Sequence, residues 1–272
     1  MPRFLLRIEY AGTRYRGWQI QTNARTVQGE IARAADEVLG TTNFELYGSG
    51  RTDAGVHALE QVAHLDTAVK IAPARLVDGL NALLPADINI LSAETVDRRF
   101  HARHSATSRR YVYQIAKRRT AFAKPYVWWV REPLDVARMR AAAAVFTGLR
   151  DFRAFTDDDP DEKSTKVLVE ALTIDETDDL VLIRIAGSHF LWKMVRRLVG
   201  ILVEAGKGAI APREVERLLD VSRGGGRDAD AVARLTAPAS GLFLEGVDYD
   251  GRPATKRAPY TQATRIGMKA SR

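Results

Sequence analysis

Strand and helix periodicities alternate along this chain in the order β-α-β-β-α-β, and a weaker version of the order follows. A pattern of this kind is satisfied by layering helices on a sheet, which makes the chain an α+β protein. Arg3 to Tyr10 alternates apolar and polar residues and predicts a strand. Thr26 to Leu39 predicts a helix, with Thr26 as its cap and Ile31, Ala34, Ala35 and Val38 on one face. Phe44 to Tyr47 and Gln61 to Leu65 are short strands on either side of a glycine-rich turn. Pro73 to Leu84 is a helix stopped by Pro85, and Ile88 to Val96 is another strand. This set matches a ferredoxin-like unit. Arg109 to Ala116 predicts a strong strand and Ala121 to Pro133 an aromatic connector. The second version comprises helix 135–147, strands 167–175 and 180–186, helix 189–205, a short inserted helix 212–220 and strand 242–249. It rests on element order alone, because no residue-level repeat supports it. "TDDDPDEKST" (156–165) and "SRGGGRD" (222–228) predict mobile loops. The expected organisation is two halves, 1–120 and 121–250, followed by a flexible basic tail, 251–272.

Charge is distributed unevenly. The 272 residues carry a net +7, yet Arg252 to Arg272 alone holds six Lys or Arg and no acid. Arg98 to Lys124 holds nine Lys or Arg and no acid, whereas Asp151 to Asp179 holds eleven acids against three Lys or Arg. Such segregation fits either a basic surface for a polyanion or a basic tail with ordinary solvated faces. The chain has no cysteine, which excludes disulfides, zinc–thiolate sites and cysteine nucleophiles and suits a reducing cytoplasm. The N-terminus lacks the apolar core of a signal peptide, and no apolar run approaches the roughly 18 residues that span a bilayer.

Chemistry concentrates at "YGSGRTDAGVHALEQVAHLD" (47–66), where the carboxylate of Asp53 sits among glycines, Arg51 and His57. An aspartate at such a turn can bond backbone N–H groups two residues on. Ionised and approached closely across glycines, it can also act as nucleophile or general base. Arg51 could pair with it or reach for phosphate. His57, His64, His101 and His104 lack a recognised metal-ligand spacing, and neither a P-loop nor a dinucleotide-binding glycine pattern is present. "RRFHARHSATSRRYVYQIAKRR" (98–119) interleaves cations and aromatics. Arginine forks suit phosphate, and tyrosine stacks on bases at about 1–3 kcal/mol each. Arg103, Arg109 and Arg110 are the cations placed for that purpose. On strand 109–116, alternation puts Arg109, Tyr111, Tyr113 and Ile115 on one face, equally suited to a core. "GSHFLWKMVRRLVGILVEAGKG" (187–208) predicts an amphipathic helix facing inward through Phe190, Met194, Leu198 and Ile201. Its Arg196 and Arg197 are either a solvated flank or buried partners for a carboxylate such as Asp53.

Several of these stretches, in order, resemble the tRNA pseudouridine synthase A family. "GRTDAGVHA" (50–58) resembles that family's catalytic loop, and "YAGTRYRGWQIQ", "TVQGEI", "NALLPADINI", "FHARHSATSRRYVYQI", "MVRRLVG" and "APASGLFLEGVDY" resemble further segments. Together they cover residues 8–250. The resemblance implies sheets joined between the two halves, with a basic active-site cleft between them. It implies that Asp53 attacks the target uridine, at the base or at the ribose. It implies that Tyr111 stacks on the uracil, Arg196 pairs with Asp53, Arg51 enters the RNA helix or holds phosphate, and Leu242 lines the uracil pocket. Isomerising uridine moves neither electrons to an acceptor nor phosphate, so no cofactor and no metal is expected. The partners implied are tRNA, at positions 38, 39 and 40 of its anticodon stem-loop, and a second copy of the chain in a cytoplasmic homodimer. The family's usual Y-[DE]-G-T and M-V-R-N read Y-A-G-T and M-V-R-R here, at Ala11 and Arg197. The latter is expected to add charge near the site. A non-catalytic RNA-binding protein on the same scaffold, or a synthase with another RNA target, is the alternative reading.

Overall fold

The computed structural model describes residues 2–159, 161–162, 164–220 and 226–250. Its strands and helices run β1 (Arg3–Tyr10), α1 (Val27–Leu39), β2 (Phe44–Gly48), β3 (His57–Thr67), α2 (Pro73–Leu83), β4 (Ile88–Val96), β5 (Ala106–Ala116) and β6 (Trp128–Trp129). They continue α3 (Val136–Val145), β7 (Gly148–Asp151), β8 (Lys166–Glu176), β9 (Leu180–Gly187), α4 (Met194–Lys207), α5 (Pro212–Leu219), α6 (Gly226–Arg234) and β10 (Leu242–Tyr249). The protein is therefore mixed α+β. The basic tail expected from residue 251, and residues 222–225 of the expected loop, lie outside the described residues.

Helix starts follow local chemistry. The Thr26 hydroxyl accepts from Gly29 N at 3.3 Å, the Asp135 carboxylate accepts from Arg138 N at 3.1 Å, and Pro73 and Pro212 sit in first turns, where no amide is needed. Two compact units form, and they do not follow a single cut in the sequence. One runs through Thr107 and takes up the chain again at Phe243; the other runs from Ser108 to Leu242.

In the first unit β1 lies antiparallel between β3 and β4, with Leu5 opposite both His64 and Glu94. β2 pairs with β3, placing Tyr47 opposite His64, and β10 joins β3 in parallel through Phe243↔His57 and Leu244↔Ala58. Phe4, Leu6 and Ile8 are fully buried, as are Ile31, Ala34 and Ala35 of α1 and Leu76 and Leu80 of α2. Two arginines on β1 are balanced across strands: Arg3 grips Asp66 at 2.6 and 2.5 Å, and Arg7 pairs with buried Glu60.

In the second unit β5, β9, β8 and β7 form an antiparallel ladder, with Tyr111 opposite Ile185, Ile174 opposite Ile183 and Leu149 opposite Leu168. The short β6 adds to the end of β5. α4 is buried nearly all round, through Val195, Leu198, Val199, Ile201, Leu202 and Val203. Phe146, Phe152 and Phe155, all fully buried, form an aromatic knot with centroids 5.5–6.4 Å apart.

Two sequence expectations are corrected here, and one strand is added. α4 begins at Met194 and not at 189, because Lys193 adopts a left-handed conformation at φ 60° that no helix can run through. Residues 226–228, expected within a loop, open α6; the glycine run that ends at Gly226 hid the helix-forming "DADAVAR" that follows. Between α3 and β8 lies β7, a strand too short to show an alternation.

Candidate active site

The turn carrying Asp53 leaves β2 at Gly48 and enters β3 at His57, and the segment between β1 and α1 forms its bed. At the entry, Ser49 N donates to Val62 O at 2.7 Å, the Ser49 hydroxyl donates to Gln61 Oε1 at 2.6 Å, and Gln61 Nε2 donates to Gly50 O at 3.1 Å. In the middle, Trp18 N donates to Thr52 O at 3.1 Å, and the Thr52 hydroxyl meets the Tyr10 hydroxyl at 2.7 Å. At the exit, Val56 N donates to Asp53 O at 3.1 Å, Gly55 N to Tyr15 O at 3.3 Å and Gly12 N to His57 Nδ1 at 3.1 Å. The turn is thereby fixed at both ends and in between, while Asp53 is half-buried and Arg51 and Ala54 are exposed.

Two glycines in the bed exist for this close approach. A Cβ on Gly12 would lie 1.9 Å from Val56 O, and one on Gly17 would lie 2.5 Å from Thr52 O and 3.2 Å from the Asp53 carbonyl carbon. Gly17 also has φ +94°, a conformation other residues adopt only with strain. Beneath them, buried Tyr15 donates its hydroxyl to Asp87 at 2.5 Å. Burial, reinforced by that hydrogen bond, pushes the phenol well above its usual pKa, so it remains a donor. Arg51 Nε donates to Gln19 Oε1 at 3.2 Å, which ties the turn to the same bed.

The other candidates lie in the second unit. Tyr111, half-buried on β5, meets the Phe190 ring edge-on at 5.3 Å. Tyr113, two residues on, is core: it is 1% exposed, with its hydroxyl donated to Pro238 O at 2.7 Å. Arg109 donates to Ser188 O at 2.7 Å, and Arg110, half-buried, points to the other face of the strand. Arg196 stands in the first turn of α4, half-buried, with Nε donating to Ala237 O at 2.7 Å and its own carbonyl accepting from Ala237 N at 3.1 Å. Leu242 is buried at the start of β10. Residues 237–242 thus link α4 to β5, touching Arg196 through Ala237 and Tyr113 through Pro238 and Gly241.

Arg197 departs from expectation. It does not add charge to an open site: it is 2% exposed and pairs with Asp157. Arg103, in the first unit, is exposed, and its backbone N donates to His101 Nδ1 at 3.1 Å. The rings of His64, His101 and His104 adjoin one another at 4.7 and 4.3 Å, but among the described residues no three His, Asp or Glu side chains come together as metal ligands.

The family model described as tRNA pseudouridine synthase matches residues 7–105 and 142–250, which include the turn, its bed, α4 and segment 237–242. The chain belongs to the tRNA pseudouridine synthase family. Among its relatives, proteins named tRNA pseudouridine synthase A from Nitrobacter hamburgensis, Maricaulis maris and a Thermoanaerobacter species are 43%, 38% and 40% identical. Each alignment covers 92% of this chain and 99–100% of the relative. Among solved structures, a Cbf5–Nop10–Gar1 complex matches at 12% identity and a TM-score of 0.32, over 73% of this chain and 53% of its own, which is too distant to inform the fold.

Several residues that shape this synthase-family site were not legible in its sequence. Trp18, Thr52 and Gln61 bear no charge and form no motif with a chemistry of its own, and the apolar pattern that turns Phe190 inward does not reveal its contact with Tyr111. The signal for the bed was the pair of glycines in "YAGTRYRGWQ", whose reason appears only when the turn is laid against it.

Proposed function

We propose that the protein isomerises uridine to pseudouridine in tRNA, with Asp53 as the nucleophile. The observation that carries this reading is the turn itself: a half-buried carboxylate on a backbone pinned by hydrogen bonds at entry, middle and exit, above glycines that admit no side chain. Catalysis by a positioned group depends on such preorganisation.

The reaction breaks the bond from N1 of uracil to C1′ of ribose, turns the base and forms the bond from C5 to C1′. The proton on C5 leaves to solvent and N1 gains one, so atoms and charge balance without a cofactor. Attack by Asp53 at the base or at the ribose serves the same exchange. The target nucleotide must leave its stack, at a cost of a few kcal/mol that stacking on Tyr111 and binding of phosphate offset. In this reading Arg196 orients the Asp53 carboxylate, and Leu242 closes the uracil pocket. Arg51, Arg103 and Arg110 meet phosphate. The site would lie in a basic cleft between two ferredoxin-like halves whose sheets join, and the target would be positions 38, 39 and 40 of the anticodon stem-loop. A homodimer suits that target, since one turn reaching three adjacent nucleotides needs a second anchor on the tRNA.

The deciding measurement is tritium release from unmodified tRNA labelled at C5 of uridine. The wild type is expected to release tritium; Asp53→Asn, nearly isosteric, is expected to release none while binding tRNA with similar or slightly higher affinity. Retained turnover in Asp53→Asn would remove it from the nucleophile's role.

A further inference from the structure

An acidic stretch in an RNA-binding protein calls for a reason, and "TDDDPD" (156–161) lies in the same unit as α4. The described part of this loop is tethered. It leaves the aromatic knot at fully buried Phe155, and three interactions then join it to the start of α4. The Asp158 carboxylate accepts from Trp192 N at 3.0 Å, the Asp157 carboxylate accepts from Lys193 Nζ at 2.8 Å, and its other oxygen pairs with Arg197 NH2. The Thr156 hydroxyl orders the loop by bonding Asp158 in both directions, at 3.0 and 3.1 Å.

What these interactions hold is strained. Lys193 has φ 60°, the one positive φ at a non-glycine residue among the described residues. Such a conformation persists when its surroundings over-determine it. Arg197 is 2% exposed and its Nε has no acceptor, so the pairing with Asp157 is what offsets the buried charge. Burial works against the ionised form of Asp157, but hydrogen bonds from Lys193 and Arg197 outweigh it and hold the carboxyl below its usual pKa. Arg196 lies between the two cations in sequence and is held on its own side by Ala237.

We propose that Asp157 is a positioning residue for the isomerisation: by clamping Lys193 and Arg197 it sets the first turn of α4, and through it the direction of the Arg196 guanidinium. This rests on the reading that Arg196 orients Asp53. A salt bridge aimed from a helix start tolerates little displacement, since an error near 1 Å in a positioned group costs up to ~100-fold in rate.

The test uses the full chain and C5-tritiated tRNA, with single-turnover release measured at saturating enzyme, tRNA affinity by filter binding and stability by thermal unfolding. Asp157→Ala is expected to slow release roughly tenfold or more with affinity within about twofold of the wild type. Asp159→Ala, in the same exposed loop but bonded to Asp161 N, is expected to keep the wild-type rate. In Asp157→Ala with Arg197→Met the orphaned cation is gone, so stability should return while release stays slow. Recovery of rate along with stability would reduce Asp157 to a stabilising role and overturn the proposal. So would an unslowed Asp157→Ala in an active protein, or a change confined to tRNA affinity and shared by Asp159→Ala, which would mark the loop as an electrostatic screen. A wild type that releases no tritium would overturn the functional reading and this proposal with it.

Discussion

At the scale of single residues, the physical rule about buried arginines applies to Arg197. A buried guanidinium demands a carboxylate, and the sequence offers two neighbouring arginines inside one apolar run. Adjacent helical positions differ by about 100°, so one of the two lies beside the apolar stripe of Met194, Leu198 and Ile201 and the other turns away from it. Arg197, three residues after Met194 and four before Ile201, is the buried member, satisfied by Asp157. Arg196 stays half-buried with Nε on Ala237 O. The cations assigned to phosphate give a prediction at this scale. Arg103→Ala and Arg110→Ala should each weaken tRNA binding and flatten its salt dependence, by about 0.7–0.9 in the slope of log K against log salt for each phosphate no longer neutralised. Filter binding across a salt series reads this directly; unchanged slopes in both variants would exclude them from the RNA footprint.

Among elements, those with strong local chemistry were legible. α1 starts at its Thr26 cap and closes on Gly40, and β4 spans the whole stretch expected of it, Ile88–Val96. Elements defined by what lies against them were not: β7 has no alternation of its own, and α6 follows a glycine run. The bed of the Asp53 turn belongs to the second class and can be tested there. Gly17→Ala adds a Cβ 2.5 Å from Thr52 O at a positive φ, whereas Gly40→Ala meets the same conformational strain with nothing within 4 Å. Both should lose stability, Gly40→Ala by about 1 kcal/mol and Gly17→Ala by about 2 kcal/mol or more, in urea unfolding. Only Gly17→Ala should slow tritium release at saturating tRNA, because only it displaces the backbone of Asp53. Equal rates in the two would detach the bed from catalysis.

For the whole molecule, charge segregation was visible in the sequence, but how its titrating groups couple to folding was not. Burial, with the charge of Arg3 and the neighbouring His101, pushes His64 down to about 4, and burial likewise lowers His101. A histidine in the unfolded chain titrates near ~6.5. Between those values the unfolded state binds the extra proton, so stability rises with pH from about 4 to about 6.5 and is lost on acidification across that window. His64 contributes at most ~1.4 kcal/mol per pH unit there. Urea midpoints from pH 4.5 to 7.5 should show the slope, and His64→Gln should flatten it; an unaltered slope would assign the acid sensitivity elsewhere.

The return of the last strand to the first unit has a consequence for how the protein is made. His57, at the exit of the Asp53 turn, stacks on Phe243 at 4.6 Å, and the Tyr249 hydroxyl closes on Ala102 O at 2.6 Å. During synthesis, when domains generally fold from the N-terminus onward, the first unit emerges early yet lacks these partners until nearly all of the second has been translated. The surroundings of the Asp53 turn are therefore completed only after the second unit has been translated, when Phe243 reaches His57 and Tyr249 reaches Ala102.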